Sequence, residues 1–240
     1  MSTVSNRIKL FADDAKIYDS NAQSLQLSLQ KVVSWLQDHQ LRIAVNKCFT
    51  LNISKHKFDT PPVFQINNTT VQNTESMKDL GIIISDNLKW HNHINYLYNK
   101  AALSSYHILQ SFRTKNVWVL KKLFITYTRP IVEYNTPVWS PYLSNDTSKI
   151  ESIQRSFTRK AFLRCGIPFT SYEDRLDKLE LDSLEKRRLL NDLYLMYKIV
   201  NKICSIPFST YFSFINCPYN LRRNSLQIRT NFNIKSKTLQ

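Results

Sequence analysis

Glycine is nearly absent, with two residues in 240, and there are only eight prolines and no repeat at a fixed period. That excludes collagen-like and low-complexity chains. No apolar run approaches the ~20 residues that cross a bilayer, and the opening MSTVSNRIKL has no signal-peptide hydrophobic region, so the expected setting is intracellular, cytoplasm and nucleus, with no membrane partner. The four cysteines, Cys48, Cys165, Cys204 and Cys217, form no CxxC. Neither a disulfide framework nor a zinc knuckle is indicated, and reduced, mostly core thiols with no disulfide partner are expected.

Acidic residues are also scarce, 18 against 33 Lys and Arg. The imbalance is uneven: residues 1–90 hold 10 basic and 8 acidic side chains, a net of +2, whereas residues 91–240 hold 23 and 10, a net of +13. A basic excess of that size on a folded region favours a polyanion, nucleic acid first and an anionic membrane surface second. With 42% apolar and 12% aromatic residues the chain has enough apolar side chains for a sizeable core.

The pattern along the chain changes character near Trp90. Before it, IKLFA and AKIY read as two strands joined at Asp13-Asp14. A helix follows, capped at Ser20 or Asn21, with an apolar stripe at Leu25, Leu29, Val32, Val33 and Leu36. LRIAVNKCFTLNIS reads as a strand carrying Lys47, PPVFQINNTTVQN as a hairpin turning at Asn67-Asn68, and MKDLGIIIS as a further strand with Ile82 and Ile84 on one face. After Trp90, helices are expected over roughly 92–111, 116–128, 146–164, 171–179 and 183–202, the last opened by a capping box of Asp182 and Glu185. The Asn-, Ser- and Arg-rich tail after Pro207 reads as loosely ordered.

Two adjacent aspartates in an apolar run need an explanation. At an effective dielectric near 20, carboxylates ~4 Å apart repel by about 4 kcal/mol, so they must diverge into water, share a proton or hold a cation. A solvated turn is the simplest reading of Asp13 and Asp14 taken alone. His91 and His93 form an HxH with no carboxylate or cysteine nearby in sequence, which points to surface or helix-core histidines. Trp118, Trp139, Tyr127, Tyr134, Tyr194 and Tyr197 have the spacing of helix core positions.

The order of these features carries a resemblance. KLFADDAKIY, VVSWLQDHQLRIAVNKC and MKDLGIIISDNLKWHNHI, followed by YTRPIVEYNTPVWSP, IESIQRSFTRKAF and YEDRLDKLELDSLEKRRLLNDLYLMYKI, resemble the reverse transcriptase of non-LTR, LINE-type retrotransposons of the jockey kind. The likeness runs over nearly the whole chain. It implies an α+β fold: a partial palm over residues 1–88, built of β-hairpins plus a helix, a helical thumb and basic extension over 89–205, and a tail over 206–240.

The same resemblance implies template-directed nucleotidyl transfer to a primer 3′-hydroxyl by two-metal chemistry, with RNA template, DNA primer and dNTP as partners of the intact enzyme. Asp13 would be the principal ligand of Mg²⁺ or Mn²⁺ and Asp14 the supporting one. Lys47 would act at the leaving pyrophosphate. Phe11 would face the primer or template backbone, and Leu80 and Gly81 would form a primer-grip turn. Arg155, Arg159, Lys160, Arg187 and Arg188 would reach phosphates, although each also suits a solvated helix face.

The family's palm has a further catalytic aspartate on an earlier strand, and fingers that hold the nucleotide. Neither fits before Arg7, so the sequence reads as the C-terminal piece of such an enzyme, with weak metal binding and no activity alone. The alternative is a non-catalytic nucleic-acid-binding remnant or a domesticated protein.

Overall fold

The computed structural model describes residues 8–53, 61–168, 170–214 and 228–230. The chain is a mixed helix and strand, α+β protein. It divides into two compact units, Met1–Asn95 and Tyr96–Gln240.

In the first unit, β1 (Ile8–Phe11) and β2 (Asp14–Ile17) form an antiparallel hairpin with Phe11 opposite Asp14. The turn is therefore Ala12-Asp13, one residue earlier than the sequence suggested. A two-residue hairpin loop needs positive φ at its first central position, and Ala12 supplies it at 51°. Asp14 is left as the first residue of β2. Helix α1 (Ala22–Asp38) starts at Asn21, whose Oδ1 accepts the Ser24 N–H at 3.1 Å. Its stripe residues Leu25, Leu29 and Val33 pack with Phe64, Ile66 and Val71 into one apolar cluster.

The expected strand around Lys47 shrinks to β3 (Phe49–Leu51). Residues Val45–Lys47 form a 3₁₀ turn, in which the Lys47 N–H donates to Ala44 O and the Cys48 N–H to Val45 O. Asn46, a turn-former and a poor strand residue, sits at the centre of that turn. β4 (Gln65–Ile66) and β5 (Thr69–Thr70) turn at Asn67 and Asn68, with φ of 47° and 62°, as the Asn-Asn pair indicates. Gln26 of α1 brackets β4: its amide donates to Gln65 O at 2.9 Å and accepts from Gln65 N at 3.0 Å. β6 (Gln72–Thr74) runs parallel to β3.

The MKDLGIIIS segment is a complete hairpin rather than one strand. β7 (Ser76–Asp79) and β8 (Ile82–Ser85) are joined through Leu80 and Gly81 at φ 45° and 88°. Here one of the two glycines meets a real requirement, a left-handed turn position. The outer edge of β8 is closed by the first turn of α2 (His91–Ser111). His93 Nδ1 accepts the Ile83 N–H at 3.2 Å, and Asn92 Nδ2 donates to Ser85 Oγ at 3.2 Å. His93 is buried, so of the two histidine readings the core one holds for it.

The second unit is helical. Asn116 caps α3 (Val117–Leu123), which passes through a π turn at Phe124–Thr128 into α4 (Arg129–Glu133). Pro130 has no N–H for the carbonyl of Thr126, and its ring crowds that carbonyl, so a regular helix cannot continue there. Ser104 of α2 donates to the Tyr127 carbonyl at 3.3 Å.

Next come α5 (Thr136–Trp139), α6 (Ser144–Arg164), α7 (Tyr172–Lys178) and α8 (Leu184–Val200). The expected capping box at Asp182 and Glu185 does not form. Ser183 is the cap, its Oγ accepting the Lys186 N–H at 3.1 Å, while Asp182 pairs with the Lys186 ammonium at 2.6 Å. A true capping box stands at Ser171 and Asp174.

In the tail, α9 (Phe208–Tyr211) leads into β9 (Phe212–Phe214), which pairs with β10 (Ile228–Thr230), so those residues depart from the loose tail expected. The rest of that expectation, and Cys217, lie outside the described residues. Cys48, Cys165 and Cys204 are free, half-buried thiols rather than full core. Burial raises the pKa of Cys48 and Cys165. Among the described residues no helix is long and apolar enough to cross a membrane.

Candidate functional site

The acidic hairpin stands open. Asp13 and Asp14 are exposed at and beside the turn, and the preceding Phe11 and Leu10 are 60% and 66% exposed, so both are mostly open to solvent. Among the described residues β1 and β2 form a ladder of two strands. Lys16 of β2 reaches the second hairpin, its ammonium 2.6 Å from the Asp79 carboxylate at the end of β7. Asp79 directly precedes Leu80 and Gly81. The hairpin carrying the two aspartates is therefore linked to the hairpin that turns at Leu80 and Gly81. Lys47 is exposed on its 3₁₀ turn, and it is Lys16, not singled out in the sequence, that joins the two hairpins.

Carboxylate oxygens are hard donors of the kind Mg²⁺ takes. Asp13 and Asp14 fit such an ion in chemistry but fall short in number. Among the described residues, no group of three or more His, Cys, Asp or Glu side chains converges on one point.

The basic candidates of the second unit divide into two sets. Arg155, Arg159 and Lys160 are exposed on α6, Arg155 with its guanidinium 4.8 Å above the Tyr172 ring. Arg187 turns inward instead, gripping Glu133 with Nε on Oε1 and with Nη2 3.0 Å from Oε2. Arg188 is only 3% exposed, and burial lowers its pKa against the pull of Glu151, Glu185, Asp192 and Glu133.

Sequence reasoning missed the buried polar system that these helices share. The Glu151 carboxylate accepts from the Tyr172 hydroxyl and from the backbone N–H groups of Leu184 and Glu185, at 3.2 and 3.1 Å, and so caps α8 from α6. Burial and the Glu151 carboxylate hold the Tyr172 phenol well above its ordinary range. Gln154 donates to Tyr172 Oη at 3.1 Å and to Asp182 O at 3.0 Å, and Arg175 reaches Thr158 and Thr170 O. The available signal was polar residues at 151, 154 and 158 interleaved with the buried Ile150, Ile153, Phe157 and Ala161 of one helix.

The aromatic expectation is corrected in the opposite sense. Trp139 is core, fully buried with its indole N–H on Tyr134 O at 2.8 Å. Trp118, Tyr127, Tyr134, Tyr194 and Tyr197 are each half or more exposed. Helical spacing places a side chain on a face without saying whether that face is covered. Lysines lie over two of these rings, Lys121 at 4.9 Å from the Trp118 ring centroid and Lys198 at 4.3 Å from that of Tyr194.

No protein-family model matches the chain, and no solved structure matches it. Among curated proteins, an uncharacterized protein of Caenorhabditis elegans is 30% identical over 125 residues, 52% of this chain. The match spans 63% of that protein's length.

Proposed function

We propose that the chain is the palm-hairpin and thumb portion of an RNA-directed DNA polymerase of the non-LTR retrotransposon type. The observation that carries this reading is the Lys16–Asp79 contact. It links the hairpin that carries Asp13 and Asp14 to the hairpin that turns at Leu80-Gly81, which supports pairing a metal-ligand hairpin with a primer-holding turn as template-directed nucleotidyl transfer needs. Asp13 and Asp14 would hold Mg²⁺ or Mn²⁺ weakly. When bound, the metal would polarise phosphoryl oxygens and lower the pKa of the primer hydroxyl. Phe11, Leu80 and Gly81 line the primer side of the reading. Arg155, Arg159 and Lys160 supply phosphate contacts, Arg187 ties α8 to Glu133 of α4, and Arg188 is buried away from any phosphate.

A Mn²⁺ titration followed by paramagnetic broadening tests the site. Broadening centred on residues 11–16 and lost in Asp13→Asn is expected; broadening elsewhere, or unchanged in the variant, overturns the metal reading. In primer extension on an RNA template the isolated chain is expected to be inactive. Extension abolished by Asp13→Ala would establish the polymerase and refute that inactivity. A non-catalytic nucleic-acid-binding role is the second reading, favoured by the exposed cations of α6 and the net +13 of residues 91–240. It requires affinity that falls steeply with salt.

A further inference from the structure

From residue 87 to residue 132 the sequence contains no acidic residue at all, while Arg113, Lys115, Lys121 and Lys122 cluster around Trp118. Trp118 is half exposed, yet its backbone is firmly held. Asn116 Oδ1 accepts the Trp118 N–H at 2.9 Å, and the adjacent Val117 packs against the Phe162, Leu179 and Leu181 cluster. Lys121 is largely covered. Its ammonium lies between the indole and the Glu180 carboxylate, 3.8 Å from the latter. Arg113, Lys115 and Lys122 remain exposed, and Phe112, 43% exposed, has its carbonyl fixed by Arg164 Nη1 at 2.8 Å. The arrangement is a firmly mounted, half-exposed ring with Lys121 over one face and exposed cations close to it in sequence.

We propose that Trp118 is a stacking platform for an unpaired base of single-stranded nucleic acid, with Arg113, Lys115 and Lys122 on the flanking phosphates. The proposal deepens the nucleic-acid reading given above and rests on it. A flat π face among cations matches a base between phosphates, whereas a lipid surface is met by a continuous apolar stripe along a helix. A duplex has its base faces already covered, so the site selects single strands.

Fluorescence anisotropy with a labelled 12-mer oligouridylate and the full chain tests this. Trp118→Ala is expected to weaken binding roughly 5- to 140-fold, the range for loss of one base–aromatic stack, and Trp118→Tyr to stay within about threefold of wild type. The Lys115→Gln/Lys122→Gln double variant should make the log–log salt slope shallower by about 1.4. A duplex of equal length should not respond to Trp118→Ala. If Trp118→Ala lowers the melting temperature, Trp118→Leu, which keeps apolar bulk and removes the π face, carries the same expectation. Salt-sensitive binding that ignores all Trp118 variants overturns the platform and leaves the nucleic-acid reading standing. No binding by wild type overturns both. Loss of binding to phosphatidylserine vesicles in Trp118→Ala, with oligouridylate affinity unchanged, assigns the ring to a membrane and overturns the proposal.

Discussion

The two units place their polar groups in opposite ways. The first keeps its acids outside, on a turn strained at Ala12, over an interior whose buried polar residues are Ser28, Ser85 and His93. The second buries Asp146, Glu151, Gln154, Arg175 and Arg188 among its helices and leaves large aromatics exposed. Two-stranded ladders alone are marginal in water, so the first unit depends on α1 and on the start of α2 to hold its hairpins. The second unit is clamped by a network in which each partner, if removed, strands another buried group. The contrast is between carboxylates left on an exposed turn and a carboxylate built into the helix packing.

The strongest way to break that contrast is to remove the Glu151 carboxylate. Tyr172 Oη and two N–H groups of α8 would lose their acceptor, and Arg188 the strongest of its compensating charges, so Glu151→Ala is expected to cost the second unit about 3–5 kcal/mol. Urea unfolding followed at the helical circular dichroism band measures it. A loss below about 1 kcal/mol would mean the network is decorative.

The first unit answers to pH instead. Burial, then the Lys78 charge, depress the His93 pKa to about 4, below the 6.5 of an unfolded histidine. The unfolded chain thus takes up the proton first. The contribution of neutral His93 is complete above pH 6.5 and drains away as the pH falls towards 4, by about 3 kcal/mol in all. His93→Asn, which keeps an acceptor for the Ile83 N–H, should flatten that part of the stability profile while leaving the second unit's response unchanged.

The long helices of the second unit were legible because 3.6-residue periodicity is a local signal, and Asn21 and Asn67-Asn68 because a cap or a left-handed turn accepts few residue types; the short α4 and α5, the Ser183 cap of α8 and the hairpin turning at Gly81 were not. The polar network was not. Glu151 and Leu184 are 33 residues apart, and nothing local shows that a glutamate will cap another helix. Exposure of Trp118 and Tyr194 was hidden for the same reason, since coverage of a face is decided by distant chain. At the acidic site the residue types pointed to the hairpin, but a one-residue shift in the turn moved Asp14 onto the strand, because Ala12 accepts the positive φ that Asp was expected to supply.

That shift leads to a smaller test. An alanine at φ 51° costs about 1 kcal/mol relative to a glycine, so Ala12→Gly should stabilise the hairpin by up to that amount, less the added freedom of the unfolded glycine. Amide hydrogen exchange across β1 and β2 reads it locally. A destabilised hairpin in Ala12→Gly would show that the turn has a different geometry.

The smallest expected effect bears most directly on the candidate site. Lys16 and Asp79 are partly exposed, with side-chain exposures of 35% and 20%, so their ion pair is worth no more than about 1 kcal/mol and weakens with salt. A double-mutant cycle with Lys16→Met and Asp79→Asn should give a coupling of roughly 0.5 kcal/mol at low salt and close to zero at 1 M. Stability alone barely registers such a pair, but position does. If the contact sets the acidic turn against the Leu80-Gly81 turn, Lys16→Met should shift the amide resonances of both turns together, whereas shifts confined to residues near position 16 would mean that the two hairpins are held side by side by something else.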